Sequence, residues 1–288
     1  MPQRLKVRAV RGDLVGSQAA YADALLELVR DDDRLELVDR RADAEVLLTL
    51  DGRPRPRPGL RGVAVVHDLG HLLARGAYGR LEWLRQNWRV ASAVRRSDHL
   101  VAPSSAVEFG LERYLGVPRD RISAVPVLPA VRRASRQEVA ELRERRGLPE
   151  RYLLLAGRRH SLRLPPTGVE LVPIGFADRA DLAPLLSGAT AWLNPSAYEG
   201  SALGALEAMA CGTPPLVAST GALPHAVAAA GLILDPSDPS EWAAAIDGVL
   251  GDQELRARLV ANGLKAVAEL RAAGPAREAL WRALTGHR

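Results

Sequence analysis

The stretch that most limits what this chain can fold into is WLNPSAYEGSALGALEAMACGTP, Trp192 to Pro214. The apolar run Ala191-Trp192-Leu193 stops at Asn194-Pro195-Ser196, a loop holding Glu199 and Gly200 follows, and Leu203, Leu206 and Ala210 then recur at helical spacing. Pro and Gly punctuate both ends, so the order is strand, loop, helix. A helix start offers unpaired backbone N–H groups and the positive end of the peptide dipole, which suit an anionic ligand such as a phosphate. Glu199 and Glu207 flank that start with seven residues between them. If both face the ligand, one grips each end of it.

The same alternation of strand and helix runs along the rest of the chain. Residues 5–10 read as a strand, Arg11 to Ser17 as a turn-rich loop with Gly12 and Gly16, and Gln18 to Arg30 as a helix. Strand, glycine loop and helix in that order suit an α/β unit with the loop beside any ligand. Further strands are expected at Leu35–Val38 and Glu45–Leu50, then a stiff basic loop from Asp51 to Gly59, read first as a solvated connector. Val63–Val66 is a continuous apolar run of the buried parallel type and ends in His67-Asp68-Leu69-Gly70-His71. Ligands gather at the carboxyl ends of such strands, so His67 and Asp68 stand where chemistry would be. The spacing His67/His71 is a weak metal pattern with no Cys or His cluster beside it, so no metal is expected.

A helix over Leu81–Arg95 is expected to turn Trp83, Leu84, Trp88 and Val94 inward. Strands at His99–Ala102 and Ile122–Val127 bracket a helix capped by Pro103-Ser104-Ser105. Ser135–Arg146 is charged and helical and reads as an interdomain connection. Tyr152–Ala156 opens a second domain and leads into Gly157-Arg158-Arg159-His160. Strands at Val169–Ile174, Pro215–Ala218 and Leu232–Leu234, with helices at Asp181–Gly188, Pro239–Leu250, Gln253–Leu270 and Arg277–Leu284, complete the pattern. The expected division is 1–134 for the first domain, 135–150 for the connection, 151–274 for the second domain and 275–288 for a closing helix.

A length of 288 residues suffices for two ordinary domains. The one cysteine, Cys211, allows no intrachain disulfide and fits a reducing compartment. There is no apolar run of about 18 residues to span a bilayer, and MPQRLKVRAV lacks the apolar core of a signal peptide. The expectation is a cytoplasmic protein, with peripheral membrane contact through Arg-rich loops as its one membrane option. Net charge is +5, but the arginines are scattered among acids and aromatics are only 4%, so nucleic-acid binding is not expected. Two of the 39 basic residues are lysines, Lys6 and Lys265.

Pro-Ser-x-x-Glu-Gly followed by Leu-Glu-Ala-Met-Ala-Cys-Gly-Thr-Pro resembles the E-x7-E signature of the retaining glycosyltransferases of the GT-B fold, the group 1, family 4 type. The likeness continues through PPLVAST, GALPHAV, GLILDPSDPSEWAAAI and ELRARL, and in the first half through RRSDHLVAPSSAVEFGLERYLGVPRDRISAVPV. It implies an α/β fold of two Rossmann-like domains facing each other across a cleft. It also implies transfer of a sugar from a nucleotide-diphosphate sugar by front-side displacement, without metal or other cofactor.

Carried over residue by residue, the resemblance makes Glu199, His67 and Arg158 the catalytic candidates. Glu199 would contact sugar hydroxyls near the reacting carbon, and Glu207 the ribose hydroxyls. Gly12, Arg159, Gly175, Phe176, Gly200, Ser201, Ala202 and Leu203 complete the expected donor site. The acceptor, whether glycan, lipid or small molecule, is not legible, nor is the oligomeric state. Two departures stand out. The phosphate-binding Lys of the family is missing, leaving Arg158 and Arg159 as the cations, and only twelve residues, Gly157 to Gly168, separate two strands where the family has a further helix, strand and helix. The second domain is therefore expected to be shortened, and the rival reading is a non-catalytic partner subunit or nucleotide-sugar binding module.

Overall fold

The computed structural model describes residues 4–55, 58–126, 129–156, 168–175 and 178–286. The chain divides into two units, Met1–Val127 with Gly274–Arg288, and Leu128–Ala273.

The first unit holds β1 (Leu5–Val10), α1 (Gly16–Arg30), β2 (Leu35–Leu37), β3 (Val46–Thr49), β4 (Arg61–Val65), α2 (Gly70–Leu73), α3 (Arg80–Arg96), β5 (His99–Ala102), α4 (Ser105–Leu115) and β6 (Ile122–Ala124). Its six described strands run in the order β2-β1-β3-β4-β5-β6, every pairing parallel. All four residues of β3 and of β5 are buried, as expected where helices cover both faces of a parallel sheet. Tyr21 of α1 is 1% exposed and donates its hydroxyl to the Val125 carbonyl at 2.8 Å. Tyr21→Phe leaves that carbonyl without its donor, and we expect a loss of about 1–2 kcal/mol in urea unfolding with an unchanged slope.

The second unit contains α5 (Arg136–Arg146), β7 (Tyr152–Leu155), β8 (Glu170–Pro173), α6 (Arg179–Gly188), β9 (Ala191–Asn194), α7 (Leu203–Ala210), β10 (Pro215–Ala218), α8 (Leu223–Val227), β11 (Leu232–Leu234), α9 (Pro239–Gly251) and α10 (Gln253–Ala273). Its five described strands are also all parallel, in the order β11-β10-β9-β7-β8. Leu153, Leu193, Leu216, Trp242 and Ile246 anchor its core. Trp242 donates its indole N–H to the Asp235 carbonyl at 3.0 Å, so its one polar atom is satisfied.

The last helix, α11 (Pro275–Thr285), is part of the first unit. Gly274, at φ +57, breaks the chain from α10, and Leu280, Ala283 and Leu284 are buried. Arg34 stacks on Trp281 at 4.5 Å and pairs with Glu278 at 2.9 Å, while the Arg61 guanidinium donates to the Ala283 carbonyl.

Two local readings need revision. α5 belongs to the second unit: it opens with a capping box between Ser135 and Glu138, buries Leu142, and sends Arg145 and Arg146 to Asp181 of α6. On α3, Val90 and Ala93 are buried, but Leu84 is 55% and Trp88 62% exposed. A helix lying on a sheet buries one stripe, and Leu84 and Trp88 fall on the other side.

Candidate functional site

Strand order reverses between β1 and β3 in the first unit and between β7 and β9 in the second. At such a reversal neighbouring connections leave on opposite faces of the sheet, and a crevice opens beyond the carboxyl ends of the strands. Each unit places a cluster of the expected residues at that point.

In the first unit, Gly12 follows β1, Asp51 follows β3, and His67 with Asp68 follow β4. His67 Nε2 lies 2.6 Å from the Leu50 carbonyl. A carbonyl only accepts, so Nε2 carries the hydrogen and Nδ1 is left with the lone pair. Burial holds this imidazole below its ordinary pKa, with the Leu50 carbonyl and Asp68 pulling the other way. Tyr21 packs edge-on against it at 5.7 Å. Asp68 accepts from Gln18 Nε2 at 3.3 Å and from the Gly70 N–H at 3.0 Å. His67, Asp68, Asp51, Gln18, Gln86 and Arg89 line a cavity of about 20 Å3, the size of one water. Burial lowers the pKa of the Arg89 guanidinium, and Asp51 and Asp68 oppose that shift. Gly12 is at φ +66, and a Cβ there would stand 2.5 Å from Asp51 Oδ2. Its glycine is therefore demanded by Asp51, a signal two isolated glycines in the sequence did not carry.

The second cluster is built on the end of β9. Asn194, 3% exposed, accepts from the Ser196 N–H at 3.0 Å and turns its amide to Glu199 Oε2 at 3.5 Å. A turn after β10 clamps the same loop from the other side. Thr220 Oγ1 donates to the Ser196 carbonyl at 2.8 Å, and the Ala222 N–H donates to the Glu199 carbonyl at 2.8 Å. Thr220 and Ala222, with Gly221 between them, are the positioning groups that sequence reasoning missed; their segment entered the sequence reading only as part of the likeness running through PPLVAST and GALPHAV.

Ala202 caps α7 at φ 50, a left-handed conformation costing a non-glycine residue about 1 kcal/mol or more. Its carbonyl accepts from the N–H groups of Ala205 and Leu206, and the Leu203 N–H reaches Ser201 Oγ at 3.4 Å. Gly200, Ala202 and Leu203 are buried. The small residues here also serve packing: a Cβ on Gly204 would meet the Trp192 ring at 2.9 Å. Gly175, at φ +51, is exposed beyond the end of β8. Arg158, Arg159 and Phe176 lie outside the described residues.

Glu207 sits on α7, half-buried, and its carboxylate has no hydrogen bond or ion pair to any described residue. Burial raises its pKa to about 7, and Arg179 draws it back only in part. Beside it Cys211 is fully buried, with its thiol pushed up to about 11 by burial, and its Sγ lies 3.6 Å from the Arg132 carbonyl. That is a packing cysteine, not a nucleophile.

The Glu207 shift has a sign that can be measured. An acid whose folded pKa is raised above its unfolded value favours folding while protonated. Its contribution is complete below about pH 4.5 and is lost as pH rises through about 7. We expect Glu207→Gln to be more stable than the parent at pH 8 by roughly 1–3 kcal/mol and nearly equal to it at pH 4.5, read by denaturant unfolding at both pH values.

Among the described residues no group of three His, Cys, Asp or Glu is placed to hold a metal ion, and no helix is long and apolar enough to cross a membrane.

Residues 166–266 match the profile of the family described as Glycosyl transferases group 1. Over 219 residues, 59% of this chain and 52% of the relative, the sequence is 32% identical to a D-inositol 3-phosphate glycosyltransferase of Xylanimonas cellulosilytica. An O-antigen chain mannosyltransferase B of Escherichia coli is 38% identical over 91 residues, 32% of this chain and 24% of that protein. The chain thus matches about half the length of these curated relatives, or less. In three dimensions it aligns with Anabaena HepE in complex with UDP and glucose at a TM-score of 0.74, over 99% of this chain and 100% of the other, at 14% identity. These likenesses identify the two parallel-sheet, Rossmann-like units as a GT-B fold.

Proposed function

We propose that this chain, which carries a glycosyl transferases group 1 domain in a GT-B fold, is a glycosyltransferase that moves a sugar from a nucleotide-diphosphate sugar to an acceptor. The observation that carries the reading is Glu207: a half-buried carboxyl raised to about 7, whose carboxylate has no hydrogen bond or ion pair among the described residues. Such a group costs stability, and perturbed acids of this kind cluster where ligands bind. The paired ribose hydroxyls of a nucleotide supply the donors it lacks.

On this reading Glu199 orients the sugar near the reacting carbon, and the loop Gly200-Ser201-Ala202 brings backbone close to phosphate or sugar oxygens. Arg158 and Arg159 neutralise the departing diphosphate in place of the family's Lys. Arg offers a planar, two-pronged contact where Lys offers a point charge. Gly175 and Phe176 meet the base. The transfer retains anomeric configuration by front-side displacement, with the diphosphate helping to deprotonate the acceptor and no metal taking part. His67, locked by the Leu50 carbonyl and leaving Nδ1 as its basic atom, belongs to the acceptor side, where the polar cluster favours a hydroxyl-bearing group. The HepE complex contains UDP and glucose, which makes uridine and glucose the first donor components to try.

The missing Lys and the short connection of twelve residues, Gly157 to Gly168, favour one alternative, a non-catalytic partner subunit or nucleotide-sugar binding module. Titration calorimetry with a panel of nucleoside diphosphates separates the outcomes. Binding of one member, weakened about tenfold or more by Glu207→Ala, supports the donor site. Binding with no turnover of any nucleotide sugar selects the binding module, and no binding by any member removes the reading.

A further inference from the structure

Helix α3 is apolar on two faces, and the sheet covers only one. Val90 and Ala93 are buried in the first unit, whereas Leu81, Leu84 and Trp88 are 77%, 55% and 62% exposed. Spaced i, i+3 and i+7, these three fall within an arc of about 60° on one side of the helix. Single exposed leucines are ordinary; a tryptophan with two leucines on one stripe is not.

The charges beside this stripe are one-sided. α3 carries Arg80, Arg85, Arg89, Arg95 and Arg96 against a single acid, Glu82. Arg89 turns into the polar cavity beside Asp51 and Asp68. The other four arginines are exposed, with Arg80 at the start of the helix, Arg95 and Arg96 at its end, and Arg85 along the edge of the stripe.

We propose that this face of α3 rests on an anionic lipid surface. Trp88, Leu84 and Leu81 enter the boundary between headgroups and acyl chains, and the four arginines pair with lipid phosphates. An indole suits that boundary because one end is apolar and the other polar. Charge decides against a second copy of the chain, since a twofold contact through this stripe would set the same arginines against each other. Area decides against a folded protein partner: three side chains fall far short of the roughly 800 Å2 per partner of a stable interface. The Arg-rich loop after β3 is the poorer candidate, because Arg55 is paired with Asp51 at 3.2 Å. The inference stands apart from the proposed transfer, since lipid binding needs no turnover.

The test is co-sedimentation with vesicles of phosphatidylcholine alone and with about 30% phosphatidylglycerol. We expect roughly tenfold tighter binding to the anionic vesicles at low salt, weakened as salt is raised. The triple variant Leu81→Ser, Leu84→Ser, Trp88→Ser should lose about tenfold in binding with its melting temperature unchanged, because the side chains removed are exposed. Quenching of tryptophan fluorescence by brominated lipid should disappear in Trp88→Phe while that variant still sediments. Equal binding to both vesicle types, or undiminished binding of the triple variant, overturns the proposal. So does a dimer in sedimentation velocity that the triple variant dissolves, which would make the stripe a self-interface.

Discussion

Glu199→Ala is expected to lower turnover by roughly 100- to 1,000-fold while leaving nucleoside diphosphate affinity within about threefold of the parent. The loop that carries Glu199 is held through its backbone. The backbone of Glu199 is fixed by the Ala222 N–H, and the neighbouring Ser196 by Asn194 and Thr220. Removing the side chain therefore leaves the loop in place and deletes one carboxylate, so the loss falls on orientation of the sugar in the transition state. Release of nucleoside diphosphate from the nucleotide sugar that the titration panel selects gives kcat and KM. A variant that turns over like the parent, or that loses nucleotide affinity and turnover in equal measure, removes the assigned role. Glu207→Ala is the counterpart, with its effect expected in nucleotide affinity first.

Gly221→Ala should be the most damaging single methyl in the second unit. Gly221 is at φ +55, and the added carbon would stand 2.2 Å from the Glu199 carbonyl oxygen and 2.9 Å from its nitrogen. Both obstacles are backbone, so neither can swing aside as a side-chain tip does. Strain at positive φ and displacement of the clamped loop together should cost about 3 kcal/mol or more, a fall in melting temperature of roughly 6–12 °C. Turnover should be lost with it, because the same shift moves Glu199. Gly147→Ala is the control: it has a similar φ of +63 at the end of α5 but nothing within 4 Å of the new carbon, so only the conformational cost of about 1 kcal/mol remains. Equal melting temperatures for the two variants would show that the turn does not hold the loop.

Most of the fold was legible in the sequence because buried parallel strands are short apolar runs bounded by Gly, Pro and polar residues. VLLT, HLVA, AWLN and PLVA are such runs, and every described residue in them is buried. Helix ends were legible for the same local reason, as at Ser104, whose hydroxyl accepts from the Val107 N–H. The positions of His67 and Glu199 just past strand ends followed from that alternation. α3 was misjudged because its pattern holds apolar residues on both sides, and periodicity alone does not say which side meets the sheet. α5, charged and helical in the sequence, was read as an interdomain connection, while the ion pairs to Asp181 that dock it in the second unit come from a residue far along the chain.

The sequence by itself determined which residues form strands, which form helices, and that two acids stand seven residues apart around a loop. Those are consequences of local propensity and spacing, which each short stretch carries within itself. Strand order, and with it the reversal beside β9, was decided only by the tertiary structure, as were the grip of Gly221 and Ala222 on Glu199 and the desolvation that lifts Glu207 to about 7. Each depends on groups brought together from distant parts of the chain, and the free energy of a buried charge or a clamped carbonyl is set by those neighbours.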